Sequence, residues 1–148
     1  MNRAPCNKIG LLSLCFIIIT SFVLYAPLVC HGEEYELSFD FSPNIINLDS
    51  ERFGDIRVLT RMRYSFFVAN GDSIFMFFNG CEESVPDIRA TRDSLGNLIL
   101  RFGLENLLTV DKCLARNSST DAKVVISMKN GDEYIGEGEV FINDKKTP

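Results

Sequence analysis

The chain predicts an all-β fold, an immunoglobulin-like antiparallel β-sandwich after an N-terminal signal helix. Three observations carry that prediction. Short runs alternate apolar and polar residues at period 2. Turn signals, among them Asn70-Gly71, Asn79-Gly80 and Asn130-Gly131, recur roughly every ten residues. No amphipathic pattern at helical spacing lasts three turns. About seven to nine strands at this spacing also suit a small β-barrel, the runner-up architecture.

Taken in order, residues 9 to 30 come first, as an almost unbroken apolar run. Arg3 and Lys8 precede it and Glu33, Glu34 and Glu36 follow, the layout of a secretory signal. Cleavage after Gly32 is the favoured reading. An uncleaved anchor is the alternative, and it leaves the rest of the chain on the same, non-cytosolic side. Residues 33–142 then form one domain and residues 143–148 a polar tail. Residues 33–148 carry all 20 acidic residues and 13 of the 15 basic ones, a net charge of −7. Such a charge repels nucleic acid and anionic lipid and favours basic partners.

The first strand expected covers Tyr35 to Phe41, with Tyr35, Leu37, Phe39 and Phe41 inward. Pro43-Asn44 interrupts it, and Ile45 to Leu48 form a second. Asp49 to Asp55 is a loop. Ile56 to Val68 reads as one long alternating strand with Arg57, Arg61 and Arg63 on its polar face. Asn70-Gly71 would turn it into a hairpin with Ser73 to Phe78 (SIFMFF), apolar on both faces and therefore expected in the middle of a sheet. Asp87 to Arg92 reads as a polar edge strand, and Gly96 marks the turn after it. Leu98, Leu100 and Phe102 continue as a strand, while Leu104 to Val110 fits a strand or one helical turn. Asn117 to Asp121 reads as a polar loop. Val124 to Met128 and Glu133 to Ile142 are the last two strands, with a bulge expected at Gly136 and Gly138.

Cys81 and Cys113 are the two cysteines left beyond the signal. In an oxidising compartment they are expected to pair. The bond would close a loop of about 33 residues, worth roughly 3–4 kcal/mol. Asn117-Ser118-Ser119 is an N-glycosylation sequon, which makes Asn117 a modification site in a secreted chain.

The catalytic inventory is thin. The one histidine, His31, lies within the signal, so no Ser-His-Asp or Cys-His mechanism is available to the mature domain. No phosphate loop, HExxH or GxSxG occurs. The acidic pairs Glu82-Glu83 and Asp132-Glu133 read as solvated loop charges. Asp49, Glu51 and Asp55, with Asn143-Asp144, gather hard oxygen ligands. LDSER at 48–52 and INDKKTP at 142–148 resemble cadherin calcium motifs. They stand in the wrong order and spacing, and Lys145 replaces an acid or amide. No metal and no cofactor is therefore assigned.

The remaining candidates are binding residues. Phe67, Phe75 and Phe77, with Phe66 and Phe78, are expected around the one hairpin, beside the stripe of Arg57, Arg61 and Arg63. The expected function is a non-enzymatic, secreted or cell-surface module that binds a protein partner through a sheet face or end loops. The alternative is a secreted carrier that holds a small apolar ligand, such as a lipid, behind the phenylalanines. No nucleic-acid partner is expected. Membrane contact would come only through an uncleaved N-terminal segment or a C-terminal part missing from this chain.

Overall fold

A computed structural model describes residues 32–49 and 54–144. The signal run, His31, Glu51 and residues 145–148 lie outside the described residues. Among the described residues, no helix is long and apolar enough to cross a membrane.

Two sheets pack face to face. One is β2 (Phe39–Ser42), β4 (Ile56–Arg63), β7 (Asn97–Phe102) and β6 (Arg89–Arg92), in the order β2-β4-β7-β6. The other contains β1 (Glu34–Glu36), β9 (Glu133–Asn143), β8 (Ser118–Met128) and β5 (Gly71–Phe78), in the order β1-β9-β8-β5. β3 (Ile45–Asn47) also lies on β9, parallel to it as β1 is. These orders are those of strands A-B-E-D and G-F-C in an immunoglobulin sandwich. The fold is therefore all-β and immunoglobulin-like.

Period-2 alternation builds the core. Strand β4 buries Ile56, Val58, Thr60 and Met62 and exposes every residue between them. Strand β7 buries Leu98, Leu100 and Phe102, and β8 buries Ala122, Val124, Ile126 and Met128. Met76 and Phe78 of β5 and Val140 and Ile142 of β9 complete the layer. Thr60 is the polar intruder, and its hydroxyl donates to the Leu98 carbonyl at 2.9 Å, which removes the cost of burying it.

Several expectations need correction. The first segment is not one strand: Glu34–Glu36 pairs with β9, and Phe39–Ser42 crosses to pair with β4. Leu37, buried, stands at the crossing. Nor is Ile56 to Val68 one strand. It ends at Arg63, and Tyr64–Asn70 forms helix α1, which carries the chain from one sheet to the other. Asn70-Gly71 is therefore no hairpin turn, and Gly71 has an ordinary extended φ of −68°. The alternation of Tyr64, Phe66 and Val68 is not that of a strand: Phe66 and Val68 are exposed on the helix, while Tyr64 and Phe67, three apart, pack against the core. Strand β5 stands at the edge of its sheet, not in the middle. Ser84 and Val85 cover that edge at Met76, whose amide donates to the Ser84 hydroxyl (3.1 Å) and whose carbonyl accepts from Val85 N–H (2.9 Å).

Gly136 and Gly138 form no bulge, for the β8–β9 register runs unbroken from Ser118↔Ile142 to Ser127↔Glu133. They make room for the crossing segment instead. A Cβ on Gly136 would lie 2.4 Å from the Leu37 carbonyl oxygen and 2.7 Å from the Phe39 ring. Gly136→Val is expected to lower stability by about 1–3 kcal/mol, read from the denaturant midpoint. A midpoint unchanged from wild type would place the crossing elsewhere.

Other expectations hold, and two change their bounds: the polar loop at 117–121 and the polar tail at 143–148. Asn79 and Gly80 both take positive φ (47° and 67°) in the turn that leaves β5. Gly96, at φ 81°, turns β6 into β7. Leu104–Leu108 resolves as the short helix α2. The polar loop expected at 117–121 shrinks to Asn117, because β8 begins at Ser118. β9 runs through Asn143, and Asp144 beyond it is buried.

Candidate functional site

The arginine stripe forms, and strand register enlarges it. Arg57, Arg61 and Arg63 alternate with buried residues on β4, so all three stand on the outer face of their sheet. Arg57 is opposite Arg101 on β7, and Arg101 is opposite Arg89 on β6. Three arginines thus share one row across three strands. Like charges placed directly opposite are unfavourable in a sheet. Asp55 relieves part of this by pairing with Arg101 and, at 3.3 Å, with Arg89. Among the described residues, Arg57 and Arg61 have no acidic partner. Arg63 donates to the Leu95 carbonyl at 2.6 Å, which holds the side chain and leaves its charge uncompensated.

The centre of that face is apolar. Leu59, 39% exposed, is opposite Ile99, with the Arg57–Arg101–Arg89 row on one side of the pair and Arg61 of β4 on the other. Asp40, opposite Leu59 on β2, and Asp55 are the acids placed there. Among the described residues, five arginines against these two aspartates make this face positive on an acidic chain.

The phenylalanines do not join the stripe. Phe75 and Phe77 stand on the outer face of β5, in the other sheet, their rings stacked with centroids 6.3 Å apart. Phe78 points inward and is in the core. Phe66 and Phe67 lie on α1, Phe66 exposed and Phe67 packed against the core. The single hairpin that was to gather them does not exist, because β4 and β5 belong to different sheets. Phe66 instead meets Tyr134 edge-on at 6.0 Å. A cleft of about 470 Å³ there is lined by Leu37, Ser38, Met62, Phe66 and Tyr134, with Arg61 and Arg63 and the acid Glu36 also on its wall.

The outer face of the other sheet is acidic. Glu133, Glu137 and Glu139 of β9 and Asp121 of β8 point outward, with Lys123 as the one lysine among them. Glu34 and Glu36 extend the acids onto β1. An apolar row, Phe75–Val125–Ile135, crosses the middle.

Cys81 and Cys113 lie at disulfide distance, their Cα atoms 6.0 Å apart. A bond between them would tie the turn after β5 to the 3-10 turn Asp111–Cys113. Asn79 reinforces the same tie, its amide donating to the Cys113 carbonyl at 2.7 Å. Asn117 is exposed at φ 55°, and its side-chain oxygen accepts from the Asp144 amide at 2.8 Å.

Three of the acids weighed for catalysis or calcium are engaged in ion pairs. Asp55 serves the two arginines, Glu83 pairs with Lys112 at 2.8 Å, and Asp144 pairs with Arg116. Asp111 beside it, and then Asp144, raise the Arg116 pKa above its ordinary value. The Tyr35 hydroxyl donates to Glu33 at 2.7 Å, and that bond with the adjacent charge pushes its pKa up to about 12. Asp93 accepts backbone amides from Asn97 and Leu95, which lowers its pKa and favours the folded turn above the ordinary aspartate range.

Sequence reasoning found Arg57, Arg61 and Arg63 and missed Arg89 and Arg101. Each missed arginine sits at an outward position of its own strand, but only register brings them into one row. The acidic face was missed for the same reason.

No protein-family model matches this sequence, and the comparison with curated proteins gives no match. Among solved structures, the chain is similar to a bacterial immunoglobulin-like domain from the M. primoryensis ice-binding adhesin. The two are 18% identical, with 78% of this chain and 99% of that one covered and a TM-score of 0.34. A second similar structure is titled for host cell surface retention of a 1.5-MDa bacterial ice-binding adhesin. It is 20% identical over 77% of this chain and 32% of that one, with a TM-score of 0.33. At this level of likeness, the fold assignment rests on the strand order and register given above.

Proposed function

We propose that this chain is a non-enzymatic, secreted or cell-surface binding module that takes an acidic protein surface on its β2-β4-β7-β6 face. The arginine row is the observation that carries this reading. Arg57, Arg101 and Arg89 stand side by side at a local electrostatic cost, on a chain that is otherwise acidic. Solubility does not require that arrangement, whereas a partner with opposed carboxylates would offset its cost. Leu59 and Ile99 supply the apolar centre that a protein contact uses and a small anion does not. Nucleic acid fits poorly, since its charge density meets the net negative field of the whole domain.

The carrier reading loses its wall, because Phe75 and Phe77 face outward and Phe78 is consumed by the core. The signal-like start, the cysteines at disulfide distance and the exposed sequon at Asn117 support the secreted or cell-surface part of this reading. Glycosylation at Asn117 belongs to the same proposal. Protein from a eukaryotic secretion culture is expected to lose mass on enzymatic deglycosylation, and Asn117→Gln to abolish the change. An unchanged wild-type mass would remove Asn117 as a site.

The direct test uses a soluble peptide of alternating glutamate and leucine as the acidic probe. Arg57→Glu with Arg61→Glu is expected to weaken its binding about tenfold or more, with thermal stability unchanged. Equal affinity in wild type and variant would refute the assignment of this face.

A further inference from the structure

The two outer faces of the sandwich complement each other, and we infer that a second copy of this chain is a partner, docking its acidic β1-β9-β8-β5 face onto the basic β2-β4-β7-β6 face of the first. The inference rests on the basic-face reading above and adds the occupant's identity. Its ground is the correspondence of rows. On the basic face, Leu59 and Ile99 form an apolar centre with arginines on both sides. On the acidic face, Phe75, Val125 and Ile135 form an apolar row, with Glu133 two residues to one side of Ile135 and Glu137 two residues to the other. Laid together, apolar row meets apolar row and glutamates meet arginines. Phe75, 40% exposed, is the large side chain such a contact would cover.

Geometry dictates the kind of assembly. The two faces lie on opposite sides of one sandwich, so a docked pair still presents one free basic and one free acidic face. The contact is heterologous, and a simple stack does not close. Four strands about 4.8 Å apart and eight residues rising about 3.4 Å each give a footprint of roughly 500 Å². A standard interface takes about 800 Å² per partner, so the contact is weak and concentration-dependent. Salt should dissolve it, because the charges stand on open surfaces.

Sedimentation velocity on the purified protein, from micromolar to millimolar concentration, tests this. At about 0.05 M salt the weight-average mass is expected to rise at least about twofold without a plateau at the dimer, and at about 0.5 M to stay near the monomer. Arg57→Glu with Arg61→Glu, and separately Glu137→Lys with Glu139→Lys, should each hold the protein monomeric. An equimolar mixture of the two variants should associate again, since the native faces left on each remain complementary and the two reversed faces are again opposite in charge. That association also shows that both variants fold. A wild type monomeric throughout, growth unaffected by either reversal, a plateau at a closed dimer, or a mixture that fails to pair would overturn the inference. If the glutamate–leucine peptide still binds the wild type in that event, the basic face keeps its role and only self-docking falls.

Discussion

Phe78→Ala is expected to lower the unfolding free energy by about 3–5 kcal/mol. Phe78 is 1% exposed on the inward face of β5 and packs near Phe41, ring centroids 6.3 Å apart, across the gap between the sheets. Removing the ring leaves a cavity that β5 cannot close. The strand is pinned to β8 on one side and capped at Met76 by Ser84 and Val85 on the other. Phe75 on the same strand supplies the control. It faces outward and is 40% exposed, so Phe75→Ala should cost less than about 1 kcal/mol. Denaturant titration of both variants reads the difference. Equal losses would mean that the faces of β5 are assigned the wrong way round.

Cys113→Ser is expected to cost roughly 3–4 kcal/mol and to leave Cys81 as a reactive thiol. The Cα separation of 6.0 Å suits a disulfide, and the sequence separation of 32 makes the constrained loop a long one. The bond would staple the free end of β5 to the turn before β8, adding a covalent tie where Asn79 already gives a hydrogen bond to Cys113. Native-state alkylation of the wild type checks the pairing before any variant is made. Two thiols that label readily would contradict it. No labelling of the wild type, with one label in Cys113→Ser, would agree with it.

How much of this was legible from the residues depends on how local each signal was. Alternation on Ile56 to Met62, Leu98 to Phe102 and Val124 to Met128 located three core strands, because burial on one face writes itself into every second residue. The Asn79-Gly80 turn was equally local, since both residues favour positive φ. Helix α1 was not legible, because YSFFVAN satisfies period 2 and a short helical spacing at once and is too short to separate them. SIFMFF reads as a central strand because it is apolar on both faces, yet it stands at a sheet edge with Met76 and Phe78 inward and Phe75 exposed on the outer face. Gly136 and Gly138 read as a bulge because a close approach by a distant segment, here Leu37 and Phe39, leaves the same mark as a local kink.

The candidate site divides along the same line. Arg57, Arg61 and Arg63 were visible as a stripe on one strand. Their union with Arg101 and Arg89 depends on β4, β7 and β6 lying side by side in a given register, which no local pattern encodes. The separation of charge onto two faces is likewise a product of topology. The chain reads as uniformly acidic, yet its strands sort arginines into one sheet and glutamates into the other.

If a protein partner binds the arginine face, amide chemical-shift mapping on the isotopically labelled protein will locate it there. Titrating in the glutamate–leucine peptide at low salt should shift Arg57, Leu59, Arg61, Ile99 and Arg101 together, and added salt should reverse the shifts. Shifts confined to Phe75, Val125 and Ile135, or none at all while the fold stays intact, would contradict the proposal.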